Sequence, residues 1–296
     1  MIVREKPDAW DLLTALHGSI VPRIIGSVGF VAALAVGVVV MDRGLGIVPR
    51  LDGSAFAVFG IGLSLFLGFR NNAAYDRWWE ARKLWGGLLA DMRSLARKVE
   101  VFVPEQTGRH AILRASLVFL HAHRMNLRGV ARTSAEQADV RSLAGAAHPP
   151  CAALDALTGL VAAGHRVGQI DGFGARALTT RLGSIAAQQA GCERIANSPL
   201  PFVYSLLIYR TAYLYCLLLP LALTATTGWM TPVFVAVVAY MFLGLAEVTE
   251  ELSHPFAPTQ NGIALDSICR AAEISLAPHL GQEPPPPLAP VRYYLS

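Results

Sequence analysis

Charge is scarce in this sequence. Asp, Glu, Lys and Arg make up 16% of its 296 residues, against about 25% in an average soluble protein. Hydrophobic residues reach 53%, which excludes an ordinary soluble domain of this length. Cysteine is scarcer still. Cys151, Cys192, Cys216 and Cys269 are the four present, and none stands in a CxxC pair. A zinc knuckle or a dithiol redox motif is therefore excluded, and free, buried thiols in a reducing compartment are expected. The sequence has no Walker A loop, no HExxH, no GxSxG and no dinucleotide-binding fingerprint, so the common nucleotide and hydrolase chemistries have no foothold. No stretch alternates apolar and polar residues as a half-buried strand would. Neither a metal nor a cofactor is expected.

Nor is a cleavable leader expected. Arg4, Glu5, Lys6, Asp8, Asp11 and Arg23 delay the first apolar run, so that run reads as a retained membrane span. The net charge of +4 does not point to nucleic acid. The basic residues are unevenly placed, and membrane topology accounts for them.

What the chain has instead is apolar runs of membrane length. Ile24–Met41 is the first, bounded by Arg23 and by Asp42–Arg43. Ser54–Phe69 is the second. Leu200–Thr227 is the third, interrupted by Arg210, with Pro220 expected to kink it. Thr231–Ala246 is the fourth, opened by Pro232. Between the second and third lies a long polar stretch in which Lys and Arg outnumber Asp and Glu. The positive-inside rule puts that stretch in the cytoplasm. Both termini then lie inside as well, and the loops 42–53 and 225–231 outside.

The second run organises the rest. On a helix, Gly60, Ser64 and Gly68 form a stripe of small residues, and Ile61, Leu65 and Phe69 form a bulky stripe one position round. Small residues at this spacing let another helix approach closely in a membrane. The bulky stripe covers about 12 Å of helix. Repeated around a symmetric ring it would make a narrow apolar throat. A plain span packed inside its own subunit has the same spacing. After Arg70 the helix is expected to continue. Ala74, Trp78, Ala81, Trp85, Leu88, Met92, Leu95 and Val99 recur in steps of four and three, with the charges off that line.

The remaining elements are coarser. Residues 8–17 suit a short interfacial helix capped by Asp8, with Trp10, Leu13 and Leu16/His17 on one face. His110–Arg128, Ala152–Val167 and the repeat of Leu178, Leu182 and Ile185 have helical periodicity. Thr133–Pro150 reads as a polar connector. His121 and His123 would face different sides of a helix, so a shared metal is not expected. Glu247, Glu250 and Glu251 are expected to be solvated or paired with arginine, although with His254 they could also serve a membrane enzyme acting on lipids. A receptor or scaffold is the other alternative. The divisions that follow are 1–72 (interfacial helix and two spans), 73–198 (cytosolic helical domain), 199–247 (two spans), 248–282 (C-terminal cytosolic helical segment) and 283–296 (a proline-rich, flexible tail).

Four separated blocks, in order, carry a likeness to a known family. FLGFRNNAAYDRWWEARKLWG (Phe66–Gly86) resembles the bestrophin segment that leaves the pore helix. HGSIVPRII (His17–Ile25) resembles the segment before the first span. GCERIANSPLPFVYSLLIYR (Gly191–Arg210) resembles the entry to the third, with Pro199 and Pro201 matching. EELSHPFAPTQNGIALDSIC (Glu250–Cys269) resembles the segment after the fourth. The resemblance implies an all-α membrane protein with four transmembrane helices per subunit and a helical cytosolic domain. It also implies a homopentameric ion channel in a bacterial inner membrane, with the bilayer, permeant ions and its own copies as its partners. It places the family's hydrophobic neck on Ile61, Leu65 and Phe69, the bulky stripe found independently. It places a cytosolic aperture on Phe173, or else on Ile170. The calcium-binding acidic run of eukaryotic members is replaced here by APTQNG, so calcium gating is not carried over. The resemblance leaves the choice between anions and monovalent cations open.

Overall fold

The computed structural model describes residues 1–3, 8–15, 18–49, 51–129, 143 and 145–296. Among these, helices account for nearly all regular structure, and only isolated bridges stand in for strands. The chain divides into two compact units. An apolar unit comprises Glu5–Trp78 and Pro199–His254, and a polar unit comprises Met1–Arg4, Trp79–Ser198 and Pro255–Ser296.

The apolar unit begins with α1 (Ala9–Thr14), whose first N–H is taken by the Asp8 carboxylate at 2.7 Å. Of the apolar face expected on α1, the Leu13 side chain, Leu16 and His17 lie outside the described residues. α2 (Val21–Leu45) starts at a proline and ends where Gly46 turns left-handed at φ 63° and returns its N–H to the Asp42 carbonyl. It overruns the expected Ile24–Met41 at both ends, because Arg23, Asp42 and Arg43 lie within the helix.

α3 (Gly53–Phe102) is a single helix of 50 residues. No proline occurs between Asp52 and Pro104 to break it, and Asp52 holds the Ser54 N–H and hydroxyl near its start. The helix stops just ahead of Pro104, where the residue before a proline is driven out of the helical region.

α7 (Phe202–Thr227) carries Pro220 internally. A 3-10 turn, Gly228–Met230, links it to α8 (Thr231–Ser253). Gly228 takes φ 50° at this turn, and Arg43 lies over the Trp229 ring at 5.7 Å. Val21–Leu45, Gly53–Phe102 and Phe202–Ser253 are long and apolar enough to cross a membrane. α2 packs on α7 and α8, and α7 packs on α8. Ile24, Val31, Leu63, Leu67, Ile208, Leu219, Val235 and Leu243 form the core of this unit. Ala35, Ala212, Ala239 and Ala246 fill the gaps where helices cross.

In the polar unit, α4 (Gln106–Arg128) packs against α5 (Pro149–Arg166) and α9 (Leu265–Leu276), and α5 packs against α6 (Gly172–Asn197). The expected Thr133–Pro150 connector falls mostly outside the described residues. Of the α3 residues expected on one face, Ala81, Trp85, Leu88, Met92, Leu95 and Val99 are fully buried here, alongside Leu178, Leu182 and Ile185. Ala74, in the apolar unit, is buried too, and Trp78 is half-buried. Asp91 is held by Arg181 and by the Ser184 hydroxyl, and Asp266 by both Arg124 and Arg128.

Two further expectations differ from the structure. Cys151 is exposed, unlike the other three cysteines. It lies off the face of α5 that buries Pro150, Ala153, Leu157 and Val161. The tail, expected to be unstructured, is tied down at its end. Tyr294 bridges to Val291 and to Ile2, and the Val3 N–H reaches the Tyr293 carbonyl at 2.8 Å. Prolines hold this chain extended in advance, so laying it down loses little conformational entropy.

His123 lies wholly inside this unit, its ring stacked on Trp85 and Phe119 at centroid distances of 5.5 and 5.9 Å. Neither ring nitrogen has a hydrogen-bond partner. Burial pushes its pKa down to about 3, with His148 adding to the shift. Above pH 6.5 the imidazole is neutral in both folded and unfolded chains. Below that value the unfolded chain takes a proton that the folded one refuses. Stability should fall by about 2 kcal/mol at pH 5 from this group alone. His123→Leu should flatten the loss of melting temperature between pH 6.5 and 4. An unaltered acid limb in that variant would assign the loss elsewhere.

Candidate pore-lining face

The upper half of α3 divides into faces with different fates. Leu63, Leu67, Arg70 and Ala74 recur at helical spacing and are buried within the chain. Ile61, Leu65 and Phe69 lie on another face and are 71%, 56% and 62% exposed. Three bulky apolar side chains are thus left uncovered by the rest of the chain. Val58, Phe59 and Phe66 are exposed as well.

Within the chain, the three positions of the small stripe have different surroundings. A Cβ at Gly60 would come within 2.8 Å of the Tyr215 hydroxyl on α7, so a larger residue there would have to move that side chain. The Ser64 hydroxyl turns back to the Gly60 carbonyl of its own helix at 2.8 Å. Gly68 faces open space. Helix packing within the subunit therefore uses Gly60 and leaves Gly68 uncovered. Gly60, Ile61, Ser64 and Leu65 border a groove of about 600 Å³, closed on its other side by Tyr215, Val238, Met241 and Phe242.

In the polar unit, Phe173 stands in the first turn of α6 and is 82% exposed. Ile170, the other candidate for an aperture, is buried and lies against Gly164, where a Cβ would meet its side chain at 2.8 Å. Of the two, Phe173 is the exposed side chain.

The carboxylates at the end of α8 are bound to arginines. Arg23 of α2 forks between Glu247 at 3.0 Å and Glu251 at 2.7 Å. Tyr209 donates to Glu247 at 3.2 Å. Glu250 takes Arg70 at 2.8 Å, and the His254 ring nitrogen lies 3.0 Å from the Ser253 hydroxyl. Of the solvated and arginine-paired arrangements expected from the sequence this is the second, and it joins α2, α3 and α8. His121 pairs with Glu273, holding that carboxyl below its usual range chiefly through the hydrogen bond. His123 is buried elsewhere. Among the described residues no group of three His, Cys, Asp or Glu side chains could hold a metal ion.

Arg70 is the residue that sequence reasoning passed over. It looked like the polar stop of an apolar run. Its spacing from Leu63 and Leu67 was the available signal, because that spacing turns it inward.

The profile of a family described as Bacterial/Fungal Bestrophin protein matches residues 1–278. A protein of Mesorhizobium japonicum named a voltage-dependent anion channel-forming protein is 43% identical, covering 100% of this chain and 97% of its own length. A protein of Escherichia coli K12 with the same description is 35% identical, covering 99% of each. The crystal structure of a bacterial bestrophin homologue from Klebsiella pneumoniae superposes with a TM-score of 0.82 at 30% identity, covering 88% of this chain and 100% of that one. Matched in sequence, in profile and in fold, the chain belongs to the bacterial and fungal bestrophins.

Proposed function

We propose that this chain is one subunit of a homopentameric ion channel whose conduction path is lined by α3. The observation that carries the reading is the uncovered stripe of Ile61, Leu65 and Phe69, on a helix whose opposite face is packed. Five copies around an axis would bury that stripe in three apolar rings. An ion passes such rings only if water accompanies it, so the neck gates by wetting and dewetting. α2, α3, α7 and α8 serve as the four spans. The arginine-rich polar unit and both termini lie on the cytoplasmic side of a bacterial inner membrane, where Phe173 lines a second constriction. The names of the two sequence relatives support the channel reading. An apolar neck carries no fixed charge, so it passes small monovalent ions without choosing their sign, and selection belongs elsewhere on the path. A lipid-modifying enzyme finds no support in Glu247, Glu250 and Glu251, which are all engaged by arginines.

Purified protein in planar bilayers tests this. Discrete unitary currents are expected from an assembly of five times 31.7 kDa. Reversal potentials in asymmetric salt then report the sign of the permeant ion. A well-formed ring without current would overturn the reading.

A further inference from the structure

We propose that Arg70 is a positioning residue for the conduction path, acting through Phe69; the inference rests on the channel reading above. The Arg70 side chain is only 4% exposed. Its Nη2 donates to the Ser205 hydroxyl of α7 at 2.7 Å and to Glu250 Oε2 of α8 at 2.8 Å. Its Nε and Nη1 are buried without partners. Burying a guanidinium with donors left over is costly, and an apolar side chain would fill the site at less cost. What the arginine adds is direction. Two hydrogen bonds to two different helices fix the rotation of α3 about its own axis. Residues 69 and 70 are separated by about 100° on that axis, so a fixed Arg70 fixes where Phe69 points.

Two further contacts act in the same sense. The Thr249 hydroxyl meets Asn71 Oδ1 at 3.4 Å. Arg77, two turns beyond Arg70 on the same face, donates from Nε to the Ser253 carbonyl at 2.8 Å. α3 is thus attached to the end of α8 just past the last bulky residue of the stripe.

Unitary conductance of Arg70→Gln, Phe69→Ala and the double variant tests the idea. Arg70→Gln should change conductance about threefold or more when Phe69 is present, and by less than about 1.3-fold on top of Phe69→Ala, since residues acting through one another are not additive. Arg70→Lys, which keeps the charge but not the planar guanidinium, should fall between native and Arg70→Gln. Ser205→Ala removes one partner and leaves the ion pair. It should shift conductance in the same direction, and that shift too should vanish in the Phe69→Ala background. It decides the matter if Arg70→Gln fails to assemble. Additive effects, or native conductance in Ser205→Ala and Arg70→Gln rings of native mass, would overturn the proposal while leaving the channel standing. Absence of current from the native protein would remove both.

Discussion

Leu65→Ala is expected to raise unitary conductance about two- to fivefold, with the subunit still folded. The side chain belongs to the uncovered stripe of α3 and is 56% exposed in its own subunit. Its loss leaves no cavity in the core made by Leu63, Leu67, Ile208 and Leu243. In a ring it is the middle of three apolar layers, where water is hardest to keep. Shortening it widens the passage and lowers the cost of carrying a hydrated ion through. Single-channel recording of an assembly with native mass checks this. Unchanged currents would mean that the stripe lies away from the ion path.

Trp85→Ala on the same helix should have the opposite profile. Trp85 is fully buried in the polar unit and stacked against His123. Truncating a buried tryptophan costs about 3–5 kcal/mol, through lost contacts and the cavity left behind. Its ring nitrogen has no hydrogen-bond partner, so the loss is one of packing alone. A large drop in melting temperature in detergent is expected, with loss of the native assembly. Phe69→Ala, 62% exposed in the subunit, should move the melting temperature far less. Equal drops for both variants would show that the two faces of α3 are not distinct.

How much of this was legible beforehand depended on whether a face had a period. The line from Ala74 to Val99 was readable because charges alternate with it so regularly that only one side of a helix can be buried. The stripe Ile61–Leu65–Phe69 was readable as a stripe, but its exposure was not, since every face of α3 there is apolar. Arg70 was hidden for the converse reason. A charge after an apolar run reads as the water boundary, and its partners Ser205 and Glu250 lie far away in sequence. Nor does spacing separate Gly60 from Gly68, because the distinction is made by one tyrosine on α7. The family likeness left Phe173 and Ile170 as alternatives, and sequence alone does not show that the first is exposed and the second buried. The tail misled because its composition suits disorder, while its closure depends on pairing with residues at the other end of the chain.

The fork made by Arg23 bears on how the apolar unit can move. Its two glutamates stand four residues apart, so the arginine reads one full helical turn of α8 at once. α8 cannot creep past α2 by a fraction of a turn and keep both carboxylates. A slide of about 6 Å that brought Leu243 to where Glu247 stood would leave a single glutamate in reach. The pair of helices is a catch with separate notches, and sliding between them would proceed in steps.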